Sequence, residues 1–118
     1  MARDHSAYVN WRVAAEAAES KKAFNLVVLD LRPVTSFTDF FVICSVTNIR
    51  QGQAVADEVA KQLKERGERP VSVEGYDAAE WILMDYGDFL VHIFSESARA
   101  YYDLERLWRH AEPVSLNR

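Results

Sequence analysis

The run from Trp81 to Phe94, WILMDYGDFLVHIF, constrains the chain more than any other stretch, because its clearest break is the dipeptide Tyr86-Gly87. It reads as two antiparallel strands closed by a tight turn. If Tyr86-Gly87 is the whole loop, Asp85 stands opposite Asp88, Leu83 opposite Leu90 and Trp81 opposite His92, all on one face. The other face is Ile82, Met84, Phe89, Val91 and Ile93, apolar throughout and therefore core. The first face mixes an indole, an imidazole, leucines and carboxylates, which is not the composition of a face buried under a helix. Like charges directly opposite each other cost a few tenths of a kcal/mol up to ~1 kcal/mol. Folding alone does not ask for them, so this face is the candidate site. The alternative, that Asp85 and Asp88 merely solvate a hairpin end, stays open.

The rest of the chain supplies the frame. From His5 to about Ala23 the pattern is helical, with Tyr8, Trp11, Ala14, Ala15 and Ala18 on one stripe. Leu26–Leu31 has strand composition and ends at Arg32-Pro33. A second strand runs from Asp39 to Ser45 or Val46, and such continuous apolar runs predict strands covered on both faces. A helix follows from about Asn48, a suitable N-cap, to Arg66, with Val55, Ala56, Val59, Ala60 and Leu63 on one face and Gly67 as the stop. Pro70–Glu74 is a short strand, and Gly75–Ala79 is the loop leading into the hairpin. Ser95 or Ser97 can cap a last helix carrying Ala98, Tyr101, Tyr102, Leu104, Leu107 and Trp108. The order α-β-β-α-β-β-β-α predicts a single α/β domain over residues 1–112, a mixed five-stranded sheet flanked by helices, with 113–118 as a loose tail.

Composition removes several function classes. At 118 residues with 49% hydrophobic residues, the chain can bury one core. A net charge of -4 argues against a primary nucleic-acid binder, which needs a basic footprint. A single cysteine, Cys44, excludes an internal disulfide and sits in an apolar run that suits a small core residue. No run approaches a membrane span and no hydrophobic signal region is visible, so the expectation is a soluble, cytoplasmic protein.

Catalytic motifs are missing: the sequence has no nucleophile elbow, no phosphate-binding loop and no dinucleotide fingerprint. The histidines lack metal-ligand spacing, and neither a cofactor nor a metal is expected. A Mg²⁺-dependent nucleotidyl-transfer site using Asp85 and Asp88 is the enzymatic alternative, and a general protein-interaction module is another. Between Glu74 and Val91 lie Glu74, Asp77, Glu80, Asp85 and Asp88 with no lysine or arginine, beside Tyr76, Trp81 and Tyr86. An acidic, aromatic surface of this kind suits a basic protein partner.

Several segments in order resemble the ribosomal silencing factor family, also called RsfS or Iojap. They are Val28-Leu29-Asp30-Leu31, Thr38 to Ile43 with Thr47 and Arg50-Gln51, Val73-Glu74-Gly75, Trp81 to Phe94, and Ala98-Arg99 through Tyr102 to Trp108. The resemblance runs from about Ala14 to Ala111. It implies a nucleotidyltransferase-like topology without activity, and a translational repressor that binds the large ribosomal subunit through ribosomal protein number fourteen and sterically blocks joining of the small subunit. It places the contact surface on Glu74, Gly75, Trp81, Leu83, Asp85, Tyr86, Asp88 and His92, with Arg99 and Tyr102 flanking or supporting it. Little direct nucleic-acid contact is expected. The oligomeric state stays open, the resemblance implying a homodimer when the protein is free. One segment departs from the family: Ser45-Val46-Thr47-Asn48-Ile49 stands where relatives commonly have a glycine-containing turn, and valine tolerates a positive φ poorly.

Overall fold

The computed structural model describes residues 2–116, with side chains from Asn10 onward. Its centre is the strand β2 (Phe40–Val46), every residue of which is buried. The strand β1 (Phe24–Asp30) pairs with it antiparallel on one side, Val28 opposite Val42. On the other side β5 (Phe89–Ser95) runs parallel to it, in register from Phe40 against Phe89 to Val46 against Ser95. Beyond β5 lie β4 (Trp81–Asp85) and the short edge strand β3 (Ser72–Glu74), both antiparallel to their neighbours. The two-residue β6 (Glu112–Pro113) closes the far edge on β1, giving the order β3-β4-β5-β2-β1-β6. The mixed sheet in one α/β domain was expected, but with five strands. The sixth is too short to leave a sequence pattern.

Helices α1 (Ala2–Ser20) and α2 (Ile49–Glu65) cover one face. On α1 the small residues Ala14, Ala15, Ala17 and Ala18 are fully buried, and Trp11 packs on Phe40 at 5.2 Å between centroids. Tyr8 of the predicted stripe lies outside the described side chains. Helix α2 begins as the sequence predicts: the Asn48 side chain accepts from Gln51 N at 2.7 Å, and Gln51 Oε1 accepts from Thr47 N at 2.7 Å. It ends in a Schellman arrangement, Glu68 N donating to Leu63 O and Gly67 N to Lys64 O, with Gly67 at φ 82°. The valine-bearing turn before α2 needs no glycine, since no residue from Ser45 to Ile49 has a positive φ.

The opposite face carries a smaller core of Leu29, Leu31, Phe41, Ile43, Phe94, Ala98, Leu104 and Ala111. Its cover is α3 (Glu96–Tyr102), capped by Ser95 Oγ accepting from Ala98 N, and the single turn α4 (Leu104–Leu107). The sequence predicts one continuous helix here. It breaks at Asp103, which adopts φ 46°, ψ 58°, a left-handed conformation that aspartate tolerates better than most residues. Nor is the tail loose where it is described: besides β6, Val114 N donates to Val28 O at 2.8 Å, and Val114 and Leu116 pack on the larger core. Residues 117 and 118 lie outside the described residues.

The hairpin register differs from the sequence reading by two. Asp85 stands opposite Leu90, Leu83 opposite His92 and Trp81 opposite Phe94, so the loop is Gly87-Asp88 rather than Tyr86-Gly87. Asp85 Oδ1 accepts from Gly87 N at 2.8 Å, an Asx turn that starts the reversal at Asp85, and Gly87 supplies φ 85°. Because the shift is even, each side chain keeps its predicted face.

Gly75, at φ 79°, leads the chain from β3 towards β4, and a Cβ there would lie 2.1 Å from the Trp81 carbonyl oxygen. Gly67 has a similar φ but open space. Gly75→Ala should therefore cost about 3 kcal/mol or more, and Gly67→Ala only about 1 kcal/mol, in urea unfolding. Equal losses would contradict this role for Gly75.

Candidate protein-binding face

The face of β4 and β5 away from α2 is neither fully exposed nor fully covered, which corrects the expectation of an open face. Its inner end is an aromatic cluster. Trp81 packs on Tyr102 at 4.7 Å and on Phe94 at 5.0 Å between centroids, and His92 meets the Phe41 ring at 4.4 Å. The Trp81 indole N–H donates inward to His92 Nδ1 at 3.1 Å. This bond places the His92 proton on Nε2 and turns the polar edge of the indole into the protein, while the half-buried ring keeps apolar surface outward. Leu83 and Leu90 continue the face as half-buried neighbours.

The outer end is the hairpin tip, and it is clamped. Thr38 Oγ1 donates to Gly87 O at 2.8 Å, while Asp39 N and Phe40 N both donate to Asp88 O, at 2.9 and 3.2 Å. The exposed Asp88 carboxylate thus projects from backbone tied to the entry of the central strand. Glu74, opposite Leu83 on the edge strand, is exposed, as are Asp77 in the loop between β3 and β4 and Glu80 at the end of β4 away from the tip, while Asp85, bonded to the turn, is half-buried.

Two expected contact residues lie inside the protein. Tyr86 is 4% exposed, stacked on Phe89 at 5.0 Å on the larger-core side, and burial pushes its hydroxyl up to about 12. His92 is 3% exposed, and burial pulls its imidazole down to about 3. Its place is behind Trp81, not on the surface. Gly75, though exposed, is fixed by the geometry of its own turn. Arg99 is also internal to the fold: its Nη2 donates to Glu105 at 2.6 Å and its Nη1 to Ser45 Oγ at 2.9 Å, tying α3 to α4 and to β2. Tyr102 is 48% exposed and packs beside Trp81. Glu80 belongs to the expected acidic surface but not to the expected contact residues, and Tyr101 to neither. The uninterrupted acidic run pointed to the first, and no sequence signal separated Tyr101 from the residues that anchor α3.

The enzymatic alternative loses its geometry with the register. Asp85 and Asp88 are not cross-strand partners, and one of them is engaged in the turn. Among the described residues no group of three or more His, Cys, Asp or Glu side chains is placed to share a metal ion. Cys44 is fully buried and its thiol is pushed up to about 12 by burial, so it is a packing residue, as expected. Among the described residues no helix is long and apolar enough to cross a membrane.

The result is an α/β protein whose sheet has one partly covered face, with an aromatic cluster at the inner end of the β4–β5 hairpin and a clamped acidic turn at the outer end. A family profile described as ribosomal silencing factor during starvation matches residues 4–118, and the chain belongs to that family. It is 41% identical to a ribosomal silencing factor from Halalkalibacterium halodurans over 105 residues, 89% of this chain and 90% of that one. A crystal structure of a Chromobacterium violaceum protein superimposes with a TM-score of 0.84 at 33% identity, covering 94% of this chain and 92% of that one. A mouse protein named for mitochondrial assembly of the ribosomal large subunit is 34% identical over 91 residues, 75% of this chain and 40% of that one. The Halalkalibacterium and mouse relatives are named as ribosomal factors, not as enzymes.

The His92 environment sets a pH dependence. Its folded value lies below the ordinary 6.5, so the unfolded chain binds the extra proton and stability falls as pH drops from about 6.5 towards 3. Between pH 7 and pH 5 the wild type should lose about 2 kcal/mol more than His92→Asn, a variant with no imidazole to titrate. Parallel losses in pH-dependent urea unfolding would contradict the burial account.

Proposed function

We propose that this protein represses translation by occupying the large ribosomal subunit through the β4–β5 face, so that the small subunit cannot join. The partner on this reading is a basic ribosomal protein, number fourteen of the large subunit. The observation that carries it is the combination of a clamped acidic tip at Asp88 with an apolar strip of Trp81, Leu83 and Leu90, in a chain that offers no cation between Glu74 and Val91. An apolar centre inside a charged rim is the anatomy of a specific interface: the rings supply anchoring area and the carboxylates steer a basic partner into register. Family membership and the name of the mouse relative support the ribosome as the setting. The cytoplasm is the expected compartment.

The contact surface is Glu74, Trp81, Leu83, Asp85 and Asp88 with Tyr102 at its flank, while His92, Tyr86, Gly75 and Arg99 hold it in shape. This division decides which variants are informative. Trp81→Ala strips an internal hydrogen bond and three ring contacts, and Asp85→Arg breaks the turn, so both mix folding with binding. Glu74→Arg with Asp88→Arg changes only exposed carboxylates. That double variant should bind isolated large subunits at least ~10-fold more weakly, with most of the loss at low salt. Glu65→Arg, the same reversal at the end of α2, should bind as the wild type does. Equal binding by all three in co-sedimentation would remove the face from the account.

A further inference from the structure

The carboxyl-terminal helices extend the aromatic surface beyond Tyr102, the flank of the face described above, to Tyr101, which that face does not use. Tyr101 is 81% exposed and Tyr102 48%. Their rings stand 5.0 Å apart at 89°, an open corner. With Glu80, Ser97 and Ala98 they line a groove of about 410 Å³. Its other wall is anionic, and the carboxylate there is held: Glu80 Oε1 accepts from Ser95 Oγ at 2.9 Å, while Glu80 O accepts from Ser95 N at 2.9 Å. On the far side of the same tyrosines a second groove is lined by Arg106 and Arg109 with Asp103. The tyrosine pair therefore separates an acidic groove from a largely basic one, and a cation is drawn to the Glu80 side only.

We propose that the Glu80–Tyr101–Tyr102 groove is a socket for one arginine side chain of the basic partner, its guanidinium lying on a tyrosine face and paired with the Glu80 carboxylate. The chemistry selects arginine over lysine: a planar, weakly hydrated guanidinium stacks on a ring and bridges to a carboxylate at once, which a compact ammonium does not. The socket adjoins the proposed ribosome-binding face, because Glu80 precedes Trp81 in the chain and Trp81 packs on Tyr102 at 4.7 Å. The identity of the partner rests on the functional reading above, whereas the capture of a guanidinium rests on the groove alone.

Two measurements separate these. In the first, N-acetyl-arginine amide and its neutral isostere N-acetyl-citrulline amide are titrated into the protein while the tyrosine ring resonances are followed by NMR. The arginine compound should shift Tyr101 and Tyr102 saturably and bind at least ~5-fold more tightly than the citrulline compound. Tyr101→Leu and Glu80→Gln should each weaken it by about 5-fold, and Tyr101→Phe, which keeps the ring face, should restore it. In the second, the same variants are measured against isolated large subunits, where Tyr101→Leu should again lose about 5-fold and Tyr101→Phe recover it. Equal response to the two amides, or undiminished arginine binding by Tyr101→Leu, overturns the socket. Arginine capture by a wild type that ignores large subunits supports the socket and overturns its assignment to a ribosomal partner. Large-subunit binding that Tyr101→Leu leaves intact overturns the socket's part in that interface while leaving the face standing.

Discussion

The structure depends on the parallel pairing of β2 with β5, seven residues in register with every β2 side chain buried. A parallel neighbour needs a long crossover. The chain makes it through α2 and then returns by way of β3 and β4, so the hairpin arrives at the sheet from outside. That route leaves β4 with only the short β3 beyond it. It also puts the hairpin turn against the entry of β2, where Thr38, Asp39 and Phe40 bind its carbonyls. The acidic tip is rigid because the centre of the sheet holds it.

The same pairing fixes which face is which. Ile82, Met84, Val91 and Ile93 lie under α1 and α2, and the alternate residues must then face α3. Helix α3 is short and breaks at Asp103, so it covers Phe94, while His92 lies behind Trp81 and Phe41, and Leu83 and Leu90 stay half-open. On the proposed reading, the binding strip results from this incomplete cover. His92 completes it from behind: its neutral ring accepts the Trp81 N–H, so the indole has no polar edge to satisfy at the surface. On the proposed reading, the anchor is therefore set before the partner arrives, which reduces the ordering cost of association.

Much of this was legible in the sequence, and the limits have physical causes. The capped helix α2, the fully buried β2 and the apolar hairpin face follow from patterns that local chemistry enforces. The faces are insensitive to the register because an even slip preserves strand alternation, and the observed register is set by Asp85 accepting the Gly87 N–H. The burial of His92 and Tyr86 is not legible locally, because it depends on what lies across the sheet. Phe41 is fifty-one positions before His92 in the chain yet touches its ring. Similarly, the break at Asp103 and the pairing of Glu112–Pro113 are tertiary outcomes that no periodicity announces. The aspartate pair is the weaker, enzymatic reading already in the sequence, which carries no phosphate-binding turn beside it.

The central claim is obstruction, not binding alone, and subunit joining tests it directly. Purified protein would be bound to isolated large subunits, small subunits added, and the joined ribosomes followed by light scattering and gradient sedimentation. The account predicts that joined ribosomes fall in proportion to the large subunits occupied, and that the Glu74→Arg, Asp88→Arg variant restores them. Full joining on large subunits that still carry the protein would contradict it.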